Sequence, residues 1–316
     1  MDQQLPPVSV VIVTKNEENI IEETLRSVFD LKYPKFEVIV VDGHSTDRTV
    51  EIASKFPVRI YFDNGTVGSA RNIGLHHSKY NFIAWIDADN RPTPYWLQTI
   101  MRKLISDEKL AGVCPRLLPL NKSSLLASSE GFEFARFEEA WAKGSIKWFG
   151  TFGGSVWRKS AIIQAGGFDE KLDTAEDADM GYRIYQSGFK FEFAREAVVY
   201  HIYEENIRDL FNHHVRYGRG RMKIWRKHPK AWGGFVHTFY PFFYPSFLLS
   251  ILLSPFLKPF VAIAALGGLI FLFRSYQIAK STRKFGLKYA LCTPFVAMLL
   301  CLAWSWGMFL EIIKRR

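Results

Sequence analysis

The stretch "FIAWIDADNRPTP", residues 82–94, drives an apolar run straight into acids. Phe82 to Ile86 carries no charge and is rich in aromatic and β-branched side chains, which predicts a buried strand. The run ends in Asp87-Ala88-Asp89, and Pro92 and Pro94 are expected to stop any further strand. A strand apolar along its whole length belongs in a parallel sheet covered on both faces. Ligands of such sheets gather beyond the carboxyl ends of the strands. A solvated turn is the competing reading of the acids, because Asp is common there.

Working outward, strand and helix patterns alternate up to about residue 200. Residues 8–14, 36–42 and 58–62 read as strands, and 80–87 as the fourth. Between them, 16–31 shows apolar residues at helical spacing with its acids placed early. Residues 45–56 open with capping side chains, and 68–78 read as a short helix. Alternation of this kind implies a parallel sheet with helices on both faces. Thr14, Asp42 and Asp87 then share one sheet edge. Gly43 beside Asp42 allows close approach of a ligand to the backbone. An Asp-x-Asp turn supplies hard oxygen ligands for Mg²⁺ or Mn²⁺, and few are needed when a substrate diphosphate provides the rest.

The charge is divided unevenly. Residues 1–210 carry a net −5 and residues 211–316 a net +15. The acidic part argues against nucleic acid as a partner. The basic part, interleaved with apolar runs, points to a membrane surface with anionic lipids. Runs at 237–257 and 289–310 are long enough to cross a bilayer, which needs roughly 20 apolar residues. The run at 259–273 is short and contains Gly267 and Gly268, so two or three spans are expected. Three spans would put the basic loop 274–288 inside, and two would reverse this. A buried helical hairpin is the soluble alternative. Cys114, Cys292 and Cys301 form neither a disulfide framework nor a CxxC metal pattern, which fits reducing surroundings. No signal peptide is read at "MDQQLPPVSVV". The expected domains are 1–205 (catalytic), 206–235 (basic membrane interface) and 236–316 (transmembrane).

Five stretches carry a resemblance: "VSVVIVTKNEE", "VIVVDGHSTDRT", "GSARNIGL", "WIDADNRPTP" and "AEDADMGYRI". Their order and spacing resemble the family-2 glycosyltransferases of GT-A fold, over residues 8 to about 230. The apolar tail is similar to that of membrane-bound members building lipid-linked or extracellular glycans, the succinoglycan-type transferases among them. The resemblance implies an α/β GT-A fold, Rossmann-like and mostly parallel, followed by transmembrane helices. It implies nucleotide contacts at Thr14, Asn16 and Glu17, and a base-reading acid at Asp42 with Ser45 and Asp47 beside it. Arg71 and Asn72 match the family's "ARNxG" pair. Asp87 falls near the ribose and the metal, Asp89 on the metal, and His201 where the metal shell can be completed. Glu17, Asn72 and His201 also have plain readings, as a first-turn acid, a helix residue and a surface histidine.

The segment 166–188 holds six carboxylates, with a helix expected to begin near Thr174 and to bury Met180, Ile184 and Tyr185. Acids at a helix start are favoured by the dipole alone. The resemblance implies that Asp177, beside Glu176, is the general base taking a proton from an acceptor hydroxyl. Residues 213–230 hold seven Lys/Arg and no acid, where processive relatives carry Gln-x-x-Arg-Trp; that motif is missing. Arg219 or Arg221 is a candidate for the diphosphate, and a purely electrostatic membrane anchor is the alternative. Gly153 and Gly154 lie in an expected acceptor platform with Trp148, Phe152 and Trp157, unless those aromatics are core.

The expected activity is inverting, metal-dependent transfer from a UDP- or GDP-sugar to a membrane-associated acceptor. The acceptor is a lipid-linked saccharide hydroxyl or a polyprenyl phosphate. The expected location is the cell membrane, multi-pass, with the catalytic part in the cytoplasm. A component of an extracellular polysaccharide synthase, processive or not, is one alternative. A non-catalytic membrane scaffold is another. A dinucleotide oxidoreductase is disfavoured, because "TKNEEN" replaces G-x-G-x-x-G after the first strand.

Overall fold

The computed structural model describes residues 5–142, 153–231 and 239–314, with backbone only for 136–142. The chain forms two compact units, Met1–Leu120 with Phe137–Ile202, and Asn121–Arg136 with Tyr203–Arg316.

The first unit is built on a sheet ordered β3-β2-β1-β4-β7-β6-β8-β5. Strands β1 (Val8–Thr14), β2 (Phe36–Asp42), β3 (Arg59–Phe62) and β4 (Phe82–Asp87) run parallel. Their register sets Thr14 opposite Asp42, Asp42 opposite Phe62, and Val13 opposite Asp87. The acids that end β2 and β4 are thereby brought to one edge. Helices α1 (Ile21–Phe29), α2 (Thr49–Ala53) and α3 (Val67–His77) connect these strands, and with α4 (Trp96–Ile105), which comes later in the chain, they cover the sheet. A core around Val10, Ile12, Leu25, Val40, Ile86, Trp96 and Ile100 fills the space between α1, α4 and the sheet.

Beyond β4 the sheet turns mixed. Strand β7 (Val156–Arg158) runs antiparallel to both β4 and β6 (Leu110–Pro119), while β8 (Lys190–His201) is parallel to β6. The prolines after the acid pair do not end strand structure as expected. Asn90–Pro92 forms β5, antiparallel to β8. The strand is three residues long and lies at the sheet edge, where proline's missing N–H costs no ladder bond. Trp157 of β7 is fully buried, its ring 4.9 Å from Phe191, so it belongs to the core rather than to a sugar platform. Trp148 and Phe152 lie outside the described residues.

Helices α5 (Leu125–Ala142), α6 (Lys159–Gln164) and α7 (Glu176–Gln186) follow β6 and β7. The α7 helix starts two residues later than expected, after Ala175 in a left-handed conformation (φ 62°), and Tyr185 is only partly buried.

The second unit contains α8 (Ile207–Lys227), α9 (Phe243–Leu253), α10 (Lys258–Thr282) and α11 (Leu287–Ile313). The long apolar helices are α10 and α11; both are long and apolar enough to cross a membrane. This reverses the expectation for the first two runs. In the 237–257 run a 3-10 turn at Tyr240–Phe242, holding Pro241, leads into the 11 residues of α9, and Pro255 follows that helix; residues 237 and 238 lie outside the described residues. The 259–273 run is carried on through Arg274 to Thr282, because helix length follows backbone hydrogen bonding rather than hydropathy. Around α10, Val261, Leu266, Leu269, Leu272 and Phe273 are all more than half exposed.

Helices α8 and α11 touch backbone to backbone. A Cβ at Gly218 would lie 2.2 Å from the Trp304 carbonyl oxygen, and one at Gly307 would lie 2.1 Å from that of Val215. Beside this seam the fully buried His214 shares a 2.8 Å bond with Glu130 through Nε2 and accepts the Trp304 indole N–H at Nδ1, 2.9 Å. The second bond requires an unprotonated Nδ1, so the imidazole proton resides on Nε2.

Candidate active site

The loops after β1 and β2 are stitched together where the strands end. Asn16, at φ 56°, receives nothing from a helix ladder. Its N–H donates to Ser45 Oγ at 2.8 Å, and its Oδ1 accepts the Thr46 N–H at 2.8 Å. Glu17 N–H donates to Thr49 Oγ1 at 2.7 Å. Asp47 accepts the N–H groups of Glu18 (3.1 Å) and Thr49 (3.0 Å), closing the turn that keeps α2 short. Asp42 is fully buried, and its oxygens accept the Ser45 N–H (2.7 Å) and Oγ–H (2.6 Å). The buried Thr14 hydroxyl has no hydrogen-bond partner among the described residues.

A second group surrounds Asp87. Arg71, on α3, is buried and donates from Nε to Glu176 Oε1 at 3.0 Å. Its Nη2 reaches Asp87 Oδ1 at 3.4 Å, and its guanidinium lies 5.5 Å from the Trp85 ring centre. One cation thus ties the ends of β4 and α7 to α3. Withdrawal from water raises the Asp87 pKa; Arg71 pulls it back down, and Asp89 pushes it up again. Asn72 is engaged elsewhere, bonding both the N–H and the carbonyl of Phe168 and the Glu170 carboxylate. Its role here is to hold the 168–170 loop on α3.

The acids of the α7 first turn sort by partner. Glu176 faces Arg71, and Asp179 is fully buried against Arg183 at 2.7 Å. Asp177 lies between them, half-buried, and among the described residues its carboxylate accepts only the Ala178 N–H, at 2.6 Å. Loss of hydration and the neighbouring Glu176 charge raise its pKa well above the ordinary Asp value, against the pull of Arg71. A carboxylate with raised basicity and spare lone pairs is suited to accepting a proton.

The third group is Asp89, His201 and Asn90. His201 Nδ1 lies 3.3 Å from Asp89 Oδ1 and 3.2 Å from Asn90 Oδ1, which β5–β8 pairing places opposite it. Glu17 belongs here too: burial first, then the Asp89 and Asp47 charges, push its pKa up to about 7. Among the described residues no three His, Cys, Asp or Glu side chains form a ready-made metal cage. Asp89 and His201 supply one oxygen and one nitrogen donor, which fits a cation that takes its other ligands from a diphosphate.

Gly153 leaves room at Asp87; a Cβ there would lie 3.5 Å from Oδ2. Gly154 takes φ +80° and would clash with Val199, while its N–H donates to the Trp85 carbonyl at 2.9 Å. Sequence reasoning missed Asn90 and Arg91. Arg91 is buried and bonds the carbonyls of Ala88 (3.1 Å) and Ile20 (2.9 Å), pinning the acid turn to α1. A charged residue between an acid pair and a proline was the one available signal. Arg219 and Arg221 belong to the second unit. Arg219 is exposed and lines a hollow of about 480 Å³ with Glu204, Asp209, His213 and Arg216. Arg221 lies 5.2 Å from the centre of the Tyr240 ring.

The profile of "Glycosyl transferase family 2" matches residues 9–164, from β1 to α6. These residues form a family-2 glycosyltransferase domain. The chain is 30% identical over 239 residues to the probable glycosyltransferase YdaM of Bacillus subtilis, covering 70% of this chain and 57% of that protein. It is 26% identical to the poly-beta-1,6-N-acetyl-D-glucosamine synthase of Staphylococcus aureus, covering 70% and 56%. The chain therefore spans little more than half the length of these relatives. The fold of the family-2 domain is that of GT-A enzymes. The mannosyltransferase PcManGT from Pyrobaculum calidifontis, solved with GDP-Man and Mn²⁺, superposes with TM-score 0.63 at 20% identity over 93% of this chain and 87% of that one. GalNAc-T7, solved with UDP, GalNAc and Mn²⁺, gives 0.52 at 18% identity over 71% and 49%.

Proposed function

We propose that this chain transfers a sugar from a nucleotide-sugar to an acceptor hydroxyl on a membrane-associated glycan, with inversion at the anomeric carbon. The observation that carries the reading is the convergence of Asp87, Arg71, Glu176 and Asp177 at the carboxyl end of β4, within a family-2 domain. Asp177 takes the proton from the attacking hydroxyl. The raised basicity of its carboxylate suits that task at neutral pH. A phosphate acceptor is already anionic and needs no base, so Asp177 favours a hydroxyl over a polyprenyl phosphate.

Asp89 and His201 are the residues that would hold Mn²⁺ or Mg²⁺, which supplies charge stabilisation to the departing diphosphate. Arg71 fixes the orientation of Asp87 toward the ribose side and of Glu176 beside the base. The apolar surface of α10 and the basic face of α8 support a bilayer location, with the catalytic unit on the side where nucleotide-sugars are made. The test is hydrolysis or transfer of UDP- and GDP-sugars by the purified chain. Activity dependent on Mn²⁺ or Mg²⁺ and lost in Asp89→Ala is expected. Undiminished turnover in chelator, or in that variant, overturns the reading.

A further inference from the structure

Arg274 is a cation that the chain leaves without an anion. It is the first charge after the apolar run 259–273 of α10, about 24 Å along the helix from Lys258. A hydrocarbon core is about 30 Å thick, so a span beginning at Lys258 carries Arg274 to the inner margin of the far headgroup layer. Charge at that depth is costly and is held there by a partner. Among the described residues half-buried Arg274 makes no hydrogen bond or ion pair. Its contacts are two rings, Tyr240 at 5.4 Å and the buried Tyr244 at 5.9 Å from the guanidinium carbon. Aromatic faces attract the charge but offer no carboxylate-like lone pair, so its N–H donors are left for an oxygen anion.

From residue 211 on, the one acid is Glu311, which lies 3.7 Å from Arg226. The charge of Glu133 on α5 is felt at Tyr240, yet Glu133 forms no ion pair with Arg274. A second guanidinium arrives instead. Arg221 of α8 lies 5.2 Å from the centre of the same Tyr240 ring. Two like charges from different helices thus converge on one ring, and an anion taken in beside it relieves their repulsion. Around Arg274 on α10, Leu269, Leu272, Phe273 and Tyr276 are each more than half exposed, a surface suited to acyl chains. Past it, Lys280, Arg283, Lys284 and Lys288 crowd the same end of the helix with positive charge, which draws anionic lipid.

We infer that Arg274 and Arg221, gathered around the Tyr240 ring, bind the phosphate of an anionic membrane lipid. Arginine presents the planar fork that matches phosphate oxygens, and basic recesses between membrane helices hold lipid headgroups in this way. The inference rests on the bilayer location proposed above and not on sugar transfer. It also reassigns Arg221, a sequence candidate for the donor diphosphate, to the lipid.

The experiment is native mass spectrometry of the full chain in neutral detergent, titrated with phosphatidylglycerol, a polyprenyl phosphate, phosphatidylcholine and inorganic pyrophosphate. The anionic lipids are expected to bind more tightly than phosphatidylcholine. Arg274→Gln should weaken that binding about tenfold or more, the usual scale for a lost hydrogen bond to a charged group. Arg274→Lys keeps the charge but not the fork and should fall between; it carries the test if Arg274→Gln does not fold. Lys280→Gln removes the same charge from an exposed position on the same helix and should change binding far less. Polyprenyl phosphate favoured over phosphatidylglycerol assigns the site to a glycan carrier, and equal or weaker binding assigns it to bulk phospholipid; either upholds the site. Wild-type affinity in the Arg274 variants, or an equal loss in Lys280→Gln, overturns it. So does phosphatidylcholine or pyrophosphate binding as tightly as the anionic lipids. A chain that stays dispersed in buffer without detergent sinks the bilayer location and the inference together, whereas the other failures leave that location standing.

Discussion

Arg71 and Glu176 meet at 3.0 Å across 105 residues of chain, both almost wholly buried. Removing one partner of such a pair leaves the other charge uncompensated, which typically costs about 3–5 kcal/mol. Arg71→Met should destabilise the chain by that order in chemical denaturation. Glu176→Gln, which keeps a hydrogen-bond acceptor, should cost less. If Arg71→Met melts with wild type, the pair is not what holds α3 and α7 together.

Asp177→Asn separates binding from chemistry. Donor affinity should stay within a few-fold of wild type, while transfer falls by about 10²–10⁴-fold. The raised pKa has a sign: the carboxylate must be ionised to act, so activity falls as pH drops through a value above the ordinary Asp range. A kcat profile with no acid limb above that range, or an equal loss of donor affinity in the variant, would count against the base role.

Glu17 gives a stability prediction with the opposite emphasis. Its folded pKa of about 7 exceeds the ordinary 4.5. Ionisation therefore costs the folded state, with the cost developing between those two values and complete above pH 7. In chelator, Glu17→Gln should be more stable than wild type at pH 8, by on the order of 1–2 kcal/mol after allowing for partial exposure. The difference should vanish below about pH 4.5, as measured by denaturant melts at the two pH values.

The seam between α8 and α11 admits no side chain at Gly218 or Gly307. Gly307→Leu should force the helices apart and cost at least about 1–3 kcal/mol, the usual range for overpacking. A lower melting temperature in detergent is the readout; an unchanged one would mean the helices slide freely.

His201→Ala should raise the Mn²⁺ concentration needed for half-maximal activity by about tenfold or more, within the usual range for lost metal-site partners. An unchanged Mn²⁺ midpoint would reduce His201 to a packing neighbour of Asn90.

Much of this was legible in the residues. Strand β2 was read to the residue, because five apolar or β-branched positions among its seven, between turn signals, leave no alternative. The helices that flank the site were not: 16–31 contracts to Ile21–Phe29, and 45–56 to Thr49–Ala53. The cause is side-chain bonding to backbone. Asn16, Ser45, Asp47 and Thr49 satisfy N–H groups that a helix would otherwise use, and that competition does not show in periodicity. The converging acids could be named from their motifs, but not their partners. Nothing local says that Arg91 will reach Ile20, or that Arg71 will reach Glu176.

The strand order carries one more consequence. Strands β4 and β5 are separated in the chain by Ala88 and Asp89 alone, yet four interstrand steps divide them in the sheet. Laid flat, those steps would span about 19 Å, while the chain from Asp87 to Asn90 can stretch only about 11 Å. The far half must therefore roll round until its last edge comes back beside β4. The two-residue link acts as the clasp of that roll, so the acid turn cannot reach its final shape before the sheet has closed. Any lesion that lets the roll spring open, even one distant in β6 or β8, should register first as weakened cation affinity.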